Sequence, residues 1–146
     1  MSQTCEMLLL SVQPRYSVLI CSGSKRVEFR RQWASRKVDT IAIYATSPTQ
    51  RIVALADVED VVSASPAKLW SHCQDRNGGL SRTGLMKYFT GKSIGFAVLL
   101  GKVHQLANPV NPWDIDRAFS PPQSFQYLTQ KQASALRRKV MDVAVG

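Results

Sequence analysis

Gly23-Ser24-Lys25-Arg26-Val27-Glu28-Phe29-Arg30-Arg31, GSKRVEFRR, sets four cations and a single carboxylate around two apolar residues at alternate positions. A solvated charge run has no use for Val27 and Phe29, and an ordinary buried strand does not hold four cations. Strand parity resolves the conflict. Val27 and Phe29 turn toward a core, while Glu28 and Arg30 point together to the other face, about 7 Å apart along the strand. Lys25, at the turn that enters the strand, can lean over that same face. A carboxylate among cations stays ionised and can hold the Arg30 guanidinium through paired hydrogen bonds. The remaining positive charge can then meet an anion. Two readings stand side by side: an internal ion pair that orients the Gly23 turn, and a polar anchor in a ligand cleft. They are compatible, because a cleft needs groups that fix the ones touching its ligand.

The flanking sequence frames this segment with strands and short helices. Glu6 to Val12 is a compact apolar run of strand length. Pro14 then opens a helix over Arg15 to Ser22, with Tyr16, Leu19 and Ile20 at helical spacing and Gly23 as its stop. Thr40 to Thr46 is strongly β-prone. A turn at Ser47 to Gln50 returns the chain as a long strand from Arg51 to Val62, which predicts an antiparallel hairpin. Asp57, Glu59 and Asp60 should lie where that strand frays toward solvent.

Ser65-Pro66 starts a helix with Leu69, Trp70 and Cys73 inward, and Asn77-Gly78-Gly79 ends it. Ser81 starts a second, with Leu85, Met86 and Phe89 inward and Gly91 as stop. Ile94 to Leu106 is another long strand, bent or bulged at Gly101. Asn108 to Gln123 is rich in Pro and Asn and reads as loop, with one helical turn within Trp113 to Phe119. Thr129 to Gln132 fits a capping box before a helix whose stripe is Ala133, Leu136, Val140 and Val143. The parts predict an α+β fold: a small mixed or antiparallel β-barrel with short helices at its ends and a C-terminal amphipathic helix. Residues 1–128 form the barrel domain, and 129–146 a helix packed on the same domain.

The chain has 146 residues, a one-domain length. Nineteen Lys and Arg against ten Asp and Glu leave a charge of +9, which favours a polyanionic partner. RNA or single-stranded nucleic acid fits better than a membrane surface, since no long basic amphipathic helix dominates. The apolar run Met7–Leu10 is too short for a signal peptide or a span. Cys5, Cys21 and Cys73 lack pairing or ligand spacing and read as reduced thiols of a cytoplasmic protein. His72 and His104 are the two histidines. No metal site or cofactor is expected, and the sequence leaves the oligomeric state undefined.

The order of parts is familiar. LLLSVQPRYSVLICSGSKRVEFRR resembles the opening of the ASCH family, a branch of the PUA-like superfamily: a strand, a Pro-led helix, then Gly-x-Lys-x-x-Glu-x-Arg, here Gly23, Lys25, Glu28 and Arg30. IYATSPTQRIVALADVEDV and PPQSFQYL look like the family's barrel strands and closing loop, so the resemblance spans roughly residues 6 to 128. It implies a pseudobarrel with a cleft beside the Gly-x-Lys turn, and an association with RNA. It also implies a hydrolytic alternative, since some members resemble amidohydrolases of acylated cytidine or a metal-dependent ribonuclease. In the amidohydrolase pattern a nucleophilic Thr stands three residues after the motif Lys. Glu28 occupies that place here, and a carboxylate cannot replace the hydroxyl in that role.

The candidate nucleic-acid contacts are Lys25, Arg26, Glu28, Arg30, Arg31, Trp33, Gln123 and Ser124. The cations meet phosphate or base. Glu28 orients Arg30 or accepts from a base amine. Trp33 either stacks a base beside its arginines or covers a barrel end. Gln123 and Ser124, on a Pro-stiffened loop, read a base edge or cap the next strand. Arg15, Arg36 and Lys37 extend the basic first third, and the Tyr44 hydroxyl can reach the cleft from the barrel wall. In the hydrolase alternative, a ribonuclease or acylcytidine amidohydrolase, Lys25 and Glu28 transfer protons. A third class is a protein adaptor using the Trp113–Phe119 loop.

Overall fold

The computed structural model describes residues 6–145, with side chains through Val140, so Cys5 and the side chain of Val143 lie outside what is described. The described chain enters the sheet with β1 (Met7–Val12), buried on both faces, which is why its sequence is apolar but for Ser11. Leu8, Leu10 and Val12 enter the interior of a curled sheet with Ile41, Ile43 and Val98. Met7 and Leu9 lie under the C-terminal part of the chain with Tyr44, Phe119 and Leu136.

The six strands run in the order β2-β5-β4-β3-β1-β6. They are β1, β2 (Val27–Arg30), β3 (Thr40–Ala45), β4 (Arg51–Ala64), β5 (Gly95–Val110) and β6 (Phe125–Tyr127). The pair β1–β3 is parallel and the other pairs are antiparallel. A parallel pair needs a crossover, and here it carries helix α1 (Pro14–Cys21) and β2. The register of β4 and β5 shifts between Ile52 and Ala54, between Ala56 and Val58, and between Val58 and Asp60. Extra residues bend the strands and curl the sheet into a half-barrel. One of them falls on β5 around the expected Gly101, since Ala56 pairs with Val103 but Val58 with Leu100. The curl leaves a seam, because β2 and β6 end the sheet at opposite edges.

Helix α2 (Pro66–Cys73) is capped by Ser65, whose side chain accepts from the Lys68 N–H. In α3 (Arg82–Tyr88) the Ser81 hydroxyl does the same for Gly84. Both cover a third cluster with Val27, Phe29, Leu69, Leu85 and Phe89. The capping box of α4 (Gln130–Val145) forms as expected: the Gln132 N–H donates to Thr129 Oγ1 at 3.1 Å and the Thr129 N–H to Gln132 Oε1 at 2.9 Å. Ala133, Leu136 and Val140 pack against the outer face of the sheet.

Two expectations need correction. Asn108–Val110 is strand, not loop. The chain bulges between Gln105, paired with Ala54, and Val110, paired with Ile52, and burial of Leu106 and Val110 draws it back to the sheet. Pro109 is tolerated because it sits in that bulge. Asp57, Glu59 and Asp60 are exposed, but β4 does not fray there; it runs on to Ala64 against β5.

Candidate functional site: an ion-paired cleft at the seam

At the end of α1, Gly23 takes a φ of +83°, a conformation that costs glycine little. The Lys25 N–H donates to the Leu19 carbonyl, and the lysine side chain turns inward until it is 2 % exposed. A buried ammonium needs a full set of acceptors. Nζ finds the Val27 carbonyl, the Gly78 carbonyl at 3.0 Å and Glu28 Oε1 at 2.8 Å. Glu28 Oε2 accepts from Arg30 Nε at 2.9 Å and Nη2 at 2.6 Å. Burial pushes the Glu28 carboxyl up, but the charges and hydrogen bonds of Lys25 and Arg30 together outweigh it and hold the group below the usual glutamate range.

Arg30 also crosses the seam. Nη2 donates to the Ser11 carbonyl of β1 at 2.8 Å, and Nη1 lies 3.4 Å from Ser124 Oγ, just before β6. Side chains thus join two edges that no strand pairing joins. The loop beyond is pinned to β1, because the Ser11 hydroxyl donates to the Pro122 carbonyl at 2.7 Å and the Ser11 N–H to the Ser124 carbonyl at 2.9 Å. Gln123 is held between those two anchors.

A cleft of about 500 Å³ opens over this network, within the range of roughly 300–1,000 Å³ usual for small-molecule sites. Ser11, Lys25, Glu28 and Arg30 form its floor, and Arg15 and Tyr16 of α1 a wall. The Arg15 guanidinium lies 4.6 Å from the centre of the Tyr16 ring. Tyr88, at the end of α3, forms another wall and donates its hydroxyl to the Phe29 carbonyl at 3.2 Å. Burial pushes that hydroxyl's pKa up, so it keeps its proton. Thr46 and Gln123 complete the rim.

The Asn77-Gly78-Gly79 turn does more than end a helix. A Cβ at Gly78 would stand 2.3 Å from a ring carbon of Phe29, so glycine alone lets the Gly78 carbonyl reach Lys25.

Of the residues picked from the sequence, Lys25, Glu28, Arg30 and Gln123 line the cleft, and Ser124 touches Arg30 at its edge. Arg26 is exposed outside the lining, its main chain tied to Arg76 and Leu100. Arg31 clasps the end of α3 through the carbonyls of Tyr88 and Thr90, at 2.8 and 2.9 Å. Trp33 is half-buried against Phe125 at the barrel end, with ring centres 5.6 Å apart, and stands away from the cleft. Arg36 lies over Tyr127. Tyr44 is buried under the C-terminal part of the chain beside Phe119 and is absent from the lining.

Sequence reasoning missed Tyr16, Thr46, Tyr88 and the Gly78 carbonyl. Tyr16, directly after Arg15 on the Pro-led helix, and the paired glycines were the signals available. Among the described residues no group of three or more His, Cys, Asp or Glu gathers to hold a metal ion. No helix among them is long and apolar enough to cross a membrane.

The ASCH domain family model matches residues 10–100. The chain belongs to the ASCH domain family. An ASCH domain-containing ribonuclease of Zymomonas mobilis is 33 % identical over 132 residues, 88 % of each chain. The crystal structure of ASCH from Zymomonas mobilis matches with a TM-score of 0.83 at 30 % identity, covering 90 % of this chain and 94 % of that one. A serine-to-alanine variant of it matches with a TM-score of 0.82 at 29 % identity and the same coverage. Large ribosomal subunit protein uL22 of Ureaplasma parvum is 27 % identical over 127 residues, 86 % of this ASCH chain but 40 % of that protein, so the chain spans less than half its length. The curled half-barrel with short helices is the PUA-like architecture that the ASCH resemblance implied.

Proposed function

We propose that this ASCH domain binds RNA and that its cleft holds one unstacked nucleotide of a single strand. The observation that carries the reading is the floor itself: two cations and one carboxylate locked together beneath a cavity of nucleotide size with tyrosines in its walls. The network holds its shape before any ligand arrives, which lowers the ordering cost of binding. Tyr16 and Tyr88 offer aromatic faces of the kind on which unpaired bases stack. The net charge of +9 supports a polyanionic partner, and the Zymomonas relative named a ribonuclease supports RNA as that polyanion. The free thiols of Cys21 and Cys73 support a reducing, cytoplasmic setting.

The test is fluorescence anisotropy with labelled single-stranded RNA over a range of salt. Affinity should fall as a power of salt concentration, each neutralised phosphate adding roughly 0.7 to the slope. Replacing Arg15 and Arg30 together by Ala should weaken binding at least about tenfold. A flat salt response, or a double variant that binds like the parent, defeats the reading.

Hydrolysis of RNA is the second reading, favoured by the same relative's name. There Lys25 and Glu28 would move protons. Their geometry supports a holding role better, since Lys25 meets three acceptors and both Glu28 oxygens are engaged. Incubation of RNA with and without divalent metal decides it. Cleavage that is lost in a folded Glu28→Gln variant supports hydrolysis, and intact RNA throughout removes it.

A further inference from the structure

Each main-chain and carboxylate acceptor on the floor of the cleft already has a partner. Lys25 meets the carbonyls of Val27 and Gly78 and one oxygen of Glu28. Arg30 meets the other Glu28 oxygen and the Ser11 carbonyl. Tyr88 meets the Phe29 carbonyl.

Strand parity shows what is left. The Leu100 N–H donates to the Arg26 carbonyl at 3.0 Å, so that carbonyl and, two and four residues on, the main-chain groups of Glu28 and Arg30 face β5. Those of Val27 and Phe29 face the other way, onto the edge of the sheet. An uncovered strand edge alternates donors with acceptors. On this edge Lys25 and Tyr88 plug both carbonyls, and the N–H of Phe29, the one of the two residues that lines the cleft, meets no neighbouring strand. Nearby, Arg30 Nη1 has its long contact to Ser124, and Arg15 uses Nε on Gln13 at 3.2 Å, so both guanidinium groups have N–H bonds to offer. Gln123 and Thr46 at the rim can donate or accept and do not discriminate.

We infer that the inner end of the cleft reads a carbonyl oxygen of an unpaired nucleobase, so that uracil is held and adenine, which has no carbonyl, is turned away. This rests on the RNA reading above. Adenine N1 and N7 can accept, but both flank the exocyclic amine, which would then meet a floor whose main-chain and carboxylate acceptors already have partners, and a buried donor without a partner is costly. A phosphate oxygen is also an acceptor, and Lys25, Arg30 and Arg15 outweigh Glu28 in charge, so a competition between base and phosphate is needed to tell the two apart.

The experiment titrates the full chain with labelled decauridylate and decaadenylate at one salt concentration, with uridine and inorganic phosphate as competitors. Decauridylate should bind at least about tenfold tighter, the effect of one hydrogen bond to a charged group. Uridine should displace it and phosphate should not. Tyr88→Phe, at a residue 36 % exposed, opens the Phe29 carbonyl and should narrow the uracil-to-adenine ratio. Equal affinities, displacement by phosphate but not uridine, or an unchanged ratio in Tyr88→Phe overturns the inference while the RNA reading stands. If neither RNA binds, both fall.

Discussion

Replacing Glu28 with Gln keeps the side-chain shape and removes one negative charge from between two cations. The Lys25 ammonium is 2 % exposed and has Glu28 at 2.8 Å as its counter-charge. Removing one partner of a buried pair costs about 3–5 kcal/mol, because the other charge stays buried. Arg30 keeps its bond to the Ser11 carbonyl and some exposure, which sets the expectation near the middle of that range, about 4 kcal/mol. Against a total stability of about 5–15 kcal/mol this is a large fraction, and it should lower Tm by roughly 8–16 °C for a chain of this size.

Urea unfolding of both proteins at neutral pH measures the difference, and repeating it in acid tests its origin. The folded Glu28 pKa is depressed, so its stabilisation is complete above the ordinary glutamate value, about 4.3, and is lost as pH falls through the lower folded value. The variant has no such group, so the gap between the proteins should narrow on acidification. A loss below about 1 kcal/mol at neutral pH, or a gap that widens in acid, refutes the buried network as described.

Two further substitutions test the supports of the site. Gly78→Ala drives a Cβ to 2.3 Å from the Phe29 ring, so thermal melts should show a loss of about 1–3 kcal/mol. RNA affinity should fall with it, because the Gly78 carbonyl is displaced from Lys25. Thr129→Ala removes the acceptor of the α4 capping box and should cost about 1 kcal/mol in urea unfolding, with RNA affinity unchanged because α4 lies on the face away from the cleft.

The local half of the site was legible in the sequence. Parity along Val27–Arg30 fixes which side chains share a face, and a carboxylate flanked by Lys25 and Arg30 within five residues can hardly avoid them. Caps behave likewise, because Ser65, Ser81 and Thr129 act on amides three residues away. The remaining half is non-local. Ser11, Gly78 and Tyr88 meet the motif from separations of 19, 53 and 59 residues, and they act through main-chain carbonyls or one hydroxyl. A carbonyl carries no residue-specific signal in a sequence. Pro109 misled for a related reason. The residue argues for a loop, whereas re-pairing of Val110 with Ile52 is decided by the core beneath it.

The plugged edge of β2 bears on how copies of this chain behave toward each other. Sheets grow by adding strands, and the first contact of an incoming strand is an exchange of N–H and carbonyl bonds with an exposed border. At β2 the carbonyls that an intruder's amides would seek are held by Lys25 and by the Tyr88 hydroxyl of the same molecule. The groups that shape the cleft therefore also guard this border against edge-to-edge aggregation.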